Sequence, residues 1–149
     1  MQDRGLEDAN DAALVSGEDH LGLTRLLTET AWLIDHGRAD RVHELFVEDG
    51  QMRLGPGVVL QGRDAIKEWG RLRPAVATRH VYTNQRFTRV DDDTAEGTTT
   101  LTVYLDSGND HGTSVAYMVG EETGRFVRTD HGWKFSARQS DIVFSRPSG

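Results

Sequence analysis

The sequence predicts an α+β domain in which helical segments come first and a meander of long strands follows. Three observations carry that expectation. Apolar residues recur at helical spacing between residues 19 and 37, two further helical patterns close before Pro74, and from Thr78 onward the period changes to two. The length of 149 residues suits one domain. A folded chain of this size buries about 68–70% of its accessible surface, so a core forms without disulfide or metal staples.

In the first helix Leu23, Leu26, Leu27, Thr30, Leu33 and Ile34 follow i, i+3, i+4, i+7 spacing, with Asp19 as the expected cap and Gly37 as the stop. A second, short helix fits Ala39 to Val47, with Val42, Leu45 and Phe46 on its apolar side. Glu48-Asp49-Gly50 reads as a turn. Two extended pieces follow around Met52-Arg53-Leu54 and Val58-Val59-Leu60, split by Gly55-Pro56-Gly57. The third helix runs from about Arg63 to Leu72, with Ala65, Ile66, Trp69 and Leu72 facing inward. Thr78 to Val90, Thr94 to Leu105, Ser114 to Thr129 and Gly132 to Phe144 then read as four long strands. Their separators, Asp91-Asp92-Asp93, Asp106 to Gly112 and Asp130-His131-Gly132, are hairpin turns, the last very tight.

Charge narrows the class of partner. The formal net charge is −7, but residues 1–19 hold six acids against Arg4 alone, a net of −5, leaving −2 for residues 20–149. Residues 1–19 are expected to be a disordered acidic tail ahead of a nearly neutral domain. With 24 acids against 17 bases, and the bases scattered without aromatic interleaving, no nucleic-acid partner is expected. No apolar run reaches the ~18–20 residues of a membrane span, and the N-terminus lacks the cationic and apolar regions of a secretory signal. The expected location is therefore cytoplasmic, with no membrane partner. The absence of Cys excludes disulfides, thiolate zinc sites and thiol nucleophiles. The histidines form no i, i+3 or i, i+4 ligand pair, so no metal is expected. No Gly-rich phosphate loop follows a strand, and no cofactor is expected. No Ser sits in a nucleophile elbow.

Several local phrases carry a family likeness. They are Ile34-Asp35-His36-Gly37-Arg38-Ala39-Asp40 leading to Leu45-Phe46-Val47-Glu48-Asp49-Gly50, then Leu60-Gln61-Gly62-Arg63-Asp64-Ala65-Ile66. Thr78-Arg79-His80-Val81-Tyr82-Thr83-Asn84 and the stretch from Gly124 to Phe135 continue it. In these phrases and in element order, residues 20–146 resemble the SnoaL-like branch of the nuclear transport factor 2-like superfamily, related to scytalone dehydratase and polyketide cyclases. The resemblance implies a SnoaL-like domain over residues 20–149. It implies a cone-shaped α+β fold, three N-terminal helices packed on a curved, mostly antiparallel sheet that encloses a pocket. It also implies a homodimer formed through the open sheet face. The superfamily holds several chemistries as well as non-catalytic subunits, so the fold does not choose a reaction.

Asp35 and His80 fall on the positions where relatives pair an acid at the end of the first helix with a His on the first long strand. In such a dyad the carboxylate orients one ring nitrogen and leaves the other free as a base. Helical periodicity by itself places Asp35 about 130° from the centre of the apolar stripe, a solvated position, and His80 alone reads as an ordinary strand histidine. Tyr82 and Asn84 share a strand face with His80 and are expected to line the same pocket. Tyr104 and Tyr117, on the next two strands, are candidate donors to a developing oxyanion. For each Tyr the bland reading is core packing. Arg138 occupies roughly the place of a pocket arginine in dehydrohalogenase-like relatives, with an exposed strand arginine as the alternative. Trp32 and Trp69 are expected in the core and pocket wall.

The chain also departs from those relatives. The strand after His80 has no second His, Thr30 stands where relatives carry Lys or Tyr, and no Asp-Arg-Asp water-activating set is present. The expected function is a cofactor-independent acid–base enzyme, a lyase or isomerase of dehydratase or cyclase type. Its substrate is expected to be a hydrophobic cyclic, polyketide- or steroid-like small molecule. The alternative is a non-catalytic ligand-binding or assembly module resembling the small subunit of ring-hydroxylating dioxygenases.

Overall fold

The computed structural model describes residues 13–106 and 116–146. The first helix, α1, spans Gly17–Asp35 and buries Leu23, Leu26, Leu27, Thr30, Leu33 and Ile34, the stripe that the spacing predicts. Its cap is Ser16 rather than Asp19: the Ser16 hydroxyl accepts the Asp19 N–H at 3.1 Å. Asp19 sits in the first turn, where its carboxylate takes two hydrogen bonds from Arg128, at 2.9 and 3.0 Å, and one from the Trp133 indole at 3.3 Å. Leu14 forms an antiparallel bridge with Thr88. The folded part therefore begins ahead of residue 20, and residues 1–12 of the expected tail lie outside the described residues.

At its other end α1 closes in a Schellman motif. Gly37, at φ +70°, donates to the Ile34 carbonyl at 3.3 Å, and Arg38 donates to the Leu33 carbonyl at 2.7 Å. Only a residue without Cβ takes that conformation cheaply, so Gly37 fixes where Asp35 ends up.

The second helical segment is a 3-10 turn over Ala39–Leu45, and Phe46 already belongs to a strand. The expected Glu48-Asp49-Gly50 turn is absorbed into β1 (Phe46–Leu54). There Val47 to Gly50 stand opposite a single residue of the neighbouring strand, because Phe46 pairs with Phe135 and Gln51 with Ala137. Turn-forming residues thus become an irregularity inside a strand. β2 (Val59–Gln61) and α2 (Arg63–Arg71) follow, so the helical segments are interleaved with the first strands rather than all N-terminal.

The four long strands are β3 (Thr78–Arg89), β4 (Thr94–Leu105), β5 (Met118–Thr129) and β6 (Gly132–Ser145). Most of the expected Asp106-to-Gly112 turn lies outside the described residues. Six strands form one curved sheet in the order β2-β1-β6-β5-β4-β3, antiparallel except where β1 runs parallel to β6. Helix α1 lies across β3 and β6, and α2 packs on the 3-10 turn and β1. Between helices and sheet sits a core of α1 leucines with Phe46, Met52, Ile66, Phe87, Phe126 and Phe135. Phe126 and Phe135 lie 5.2 Å apart, and Phe46 stacks on Phe135 at 5.0 Å. Among the described residues no helix is long and apolar enough to cross a membrane.

Candidate active site

Asp35, held by the α1 terminus, meets His80 on β3 beneath the helix layer. Asp35 Oδ1 accepts from His80 Nδ1 at 2.6 Å and from the Thr78 hydroxyl at 2.9 Å, while Oδ2 accepts the backbone N–H of His80 at 2.8 Å. Both side chains are nearly buried, at 6% and 9% exposure, so the pair is not a solvated surface contact. A carboxylate with three donors around it fixes the tautomer: Nδ1 carries the proton and Nε2 keeps a lone pair. Among the described residues Nε2 has no partner, and no buried side-chain nitrogen or oxygen lacks one. Nε2 is therefore reached by solvent.

That opening is a cavity of about 240 Å³ walled by Trp69, Arg73, His80, Val103, Tyr117 and Arg138, with Leu101, Leu105 and Met118 contributing further apolar surface. Cross-strand register explains the set. His80, Val103 and Met118 are direct neighbours across β3, β4 and β5, so they share one face of the sheet. Burial in this apolar wall pushes the His80 imidazole below its ordinary value. The Asp35 hydrogen bond and charge oppose that shift, and the nearby Arg73 and Arg138 charges add to it. The net direction favours a neutral ring, the form a general base needs.

Arg138 is buried, not exposed, at 4% exposure. It forms a forked ion pair with Glu122, Nε to Oε1 at 2.6 Å and Nη2 to Oε2 at 2.8 Å. Nη2 also donates to the Tyr82 hydroxyl at 2.8 Å, and the Ser140 hydroxyl donates to Glu122 Oε2 at 3.0 Å. Burial alone would lower the Arg138 guanidinium, but the Glu122 carboxylate and the Tyr82 oxygen outweigh it and hold it above its ordinary value. Tyr82 is raised by burial and stays a neutral phenol. Nη1 of Arg138 has only the Met52 sulfur, 3.7 Å away, which leaves one of its N–H groups uncommitted, and the residue lines the cavity.

Glu122 was not foreseen. The signal was available, since Gly120, Glu122, Gly124 and Phe126 alternate on the buried face of β5 and an acid in that series requires a partner.

Of the expected site residues, Asp35, His80, Trp69, Tyr117 and Arg138 come together at this cavity. Tyr82 lies below it, engaged with Arg138 and Glu122. Three expectations are corrected. Trp32 is half-exposed on the far side of α1, stacked on His36 at a centroid distance of 4.5 Å. Tyr104 has the opposite parity to Leu101, Val103 and Leu105, so it points out of the other sheet face. Asn84 is exposed because β3 bulges there: Thr83 pairs with Thr100 and Arg86 with Thr98, leaving Asn84 and Gln85 opposite Thr99. Asn84 takes φ +52°, the inward parity shifts from even to odd, and Gln85 and Phe87 face the helix instead. Among the described residues no cluster of three or more potential ligands is placed to hold a metal ion.

Solved structures of similar shape place this architecture. An NTF2-like protein with a cystatin-like fold from Novosphingobium aromaticivorans is 25% identical, covering 85% of this chain and 82% of its own, with a TM-score of 0.74. Aln2 from a Streptomyces species is 21% identical, covering 87% and 94%, at 0.77. A Novosphingobium aromaticivorans protein provisionally named scytalone dehydratase is 18% identical, covering 90% and 93%, at 0.76. At these identities the likeness shows the shared NTF2-like, cystatin-like fold. No curated protein sequence matches the chain. The SnoaL-like domain family matches residues 16–139, which is most of the sequence, and the chain belongs to that family.

Proposed function

We propose that this protein is an acid–base enzyme that removes a proton next to a carbonyl group of a small, hydrophobic cyclic substrate. The single observation that carries the reading is the Asp35–His80 contact, a carboxylate that fixes the Nδ1 proton and leaves Nε2 open to an apolar cavity. In the reaction Nε2 takes the C–H proton and the ring becomes imidazolium, its new charge balanced by Asp35. The electron pair left on carbon moves onto the carbonyl oxygen. The free Arg138 N–H or the Tyr117 hydroxyl donates to that oxygen. Elimination, isomerisation and aldol-type cyclisation all begin this way. The family contains dehydratases and cyclases of related fold, which agrees with a lyase or isomerase. The working unit in this reading is a homodimer.

The test is hydrogen–deuterium exchange at the α-carbon of 2-tetralone, a two-ring ketone, followed by proton NMR in D2O. The wild-type chain is expected to accelerate exchange over buffer, and His80→Ala to lose that acceleration. If His80→Ala exchanges as fast as wild type, the catalytic reading fails and the fold serves binding or assembly.

A further inference from the structure

Among the described residues one charged group of the cavity wall has no direct hydrogen-bond or ion-pair partner. Asp35 is occupied by Thr78 and His80, and Glu122 by Arg138, Tyr82 and Ser140. Arg73 is left over. Its guanidinium is half-buried and lies 5.0 Å from the centre of the Trp69 ring, but among the described residues it has neither a hydrogen bond nor an ion pair. The other arginines of this part of the chain are satisfied: Arg71 forks onto Glu68 at 2.7 and 2.8 Å, and Arg63 donates to the His43 carbonyl at 3.1 Å.

The position of Arg73 is built rather than incidental. Leu72 caps α2, the Arg73 N–H donates to the Gly70 carbonyl at 3.3 Å, and Pro74 stiffens the chain just beyond. Arg73 walls the His80 cavity, and it also borders two open clefts of about 580 Å³ each. Because no buried side-chain nitrogen lacks a partner, the guanidinium N–H groups are reached by solvent from these spaces. Burial, and after it the Arg138 charge, work against the Arg73 cation and outweigh the favourable Asp35 charge, so an anion in direct contact relieves an existing cost. A guanidinium presents its donors as a planar fork that matches the two oxygens of a carboxylate. The Trp69 ring holds the other face of that fork.

We propose that Arg73 is a carboxylate-binding residue and that the substrate of this cavity is a small hydrophobic ring acid, its carboxylate on Arg73 and its reacting carbon at His80. Calling the ligand a substrate rests on the proton-abstraction reading above; the binding claim does not. The cavity is below the roughly 300–1,000 Å³ of drug-sized clefts, which fits one or two rings.

The test compares 1-naphthoate with its neutral isostere 1-naphthamide by isothermal titration calorimetry at low salt. The wild-type chain is expected to bind naphthoate about tenfold or more tightly than the amide. Arg73→Gln should remove that preference, naphthoate losing far more affinity than the amide, and Arg73→Lys should keep part of it. His80→Ala should keep the preference in full, which separates this claim from the catalytic one. In the wild-type chain, naphthoate should also shift the Trp69 indole N–H resonance, a readout that needs no variant to fold. Equal affinity for the two probes, no binding of naphthoate, or a preference that survives Arg73→Gln or vanishes in His80→Ala overturns the proposal.

Discussion

Asp35 holds His80 twice, through the ring Nδ1 at 2.6 Å and through the backbone N–H at 2.8 Å, so one carboxylate sets both the strand position and the ring tautomer of the same residue. Replacing Asp35 by Asn tests what this double grip does. The backbone N–H of His80 still demands an acceptor, so the Asn carbonyl oxygen goes there and its NH2 group faces Nδ1. Nδ1 must then accept, the ring proton moves to Nε2, and the base is blocked. Asp35→Asn should slow 2-tetralone exchange by roughly 10²–10⁴-fold with little change in binding. Nitrogen NMR of His80 should show the proton on Nε2. Wild-type exchange in this variant would sink the dyad.

The depressed His80 proton affinity has two consequences with one sign. Catalysis needs the neutral ring, so the acidic limb of kcat/KM should fall below the ordinary histidine value of 6.5. The unfolded chain binds this proton more readily than the folded one. The His80 contribution to stability is therefore complete above pH 6.5 and lost as pH falls through the folded-state value. Urea titrations at pH 7.5 and 5.0 should show a larger acid loss for wild type than for His80→Gln. Equal losses would contradict the burial argument.

Arg138 and Glu122 separate structure from chemistry. Breaking this buried pair with Glu122→Gln should cost about 3–5 kcal/mol in chemical denaturation, since it strands a buried guanidinium. Replacing both together, Glu122→Leu with Arg138→Met, should recover most of that stability. The recovered double variant should still lose roughly 10²–10³-fold in exchange rate if Arg138 steadies the enolate oxygen. A stable double variant with full activity would leave Arg138 as scaffold only.

Much of the fold was legible because its signals are local. The α1 stripe, the Gly37 stop, the bounds of β4 and the two-residue Asp130-His131 hairpin follow from periodicity and turn chemistry. Parity within a strand was also legible: Tyr104 alternates with Leu101 and Val103, which is enough to turn it outward. What escaped was non-local. The bulge at Asn84 and Gln85 shifts the inward parity of β3, and no residue there announces it, because Asn84 tolerates positive φ without being Gly. The Asp35–His80 contact joins residues 45 apart and entered only through family resemblance, since helical periodicity pointed Asp35 to solvent. Arg73 carried no sequence signal at all; its meaning lies in what fails to sit beside it.

Gly70 is where α2 touches the 3-10 turn. A Cβ there would stand 2.0 Å from the Ala39 carbonyl oxygen and 2.8 Å from the Asp40 nitrogen, backbone atoms that cannot step aside. Gly70→Ala should destabilise the chain by roughly 1–3 kcal/mol or more and loosen the wall that carries Trp69 and Arg73. Gly17→Ala, with nothing within 4 Å, should stay within about 0.5 kcal/mol of wild type. Thermal melts of the pair check this, and equal melting temperatures would refute the close approach.

The outer sheet face tests the homodimer. Phe144, Val119, Thr102 and Val81 are direct neighbours across four strands, a row on the face opposite His80. Ile142, Val143 and Phe144 are each more than 60% exposed. A monomer gains nothing from an apolar row in water, whereas a second copy laid against it removes that surface from solvent. Light scattering at micromolar concentration should return twice the chain mass of 16.6 kDa. Phe144→Glu places a charge at the end of the row and should return the single-chain mass with the 2-tetralone exchange rate retained, since Phe144 lies outside the cavity. A wild-type mass of one chain would remove the dimer from this account and leave the Asp35–His80 chemistry untouched.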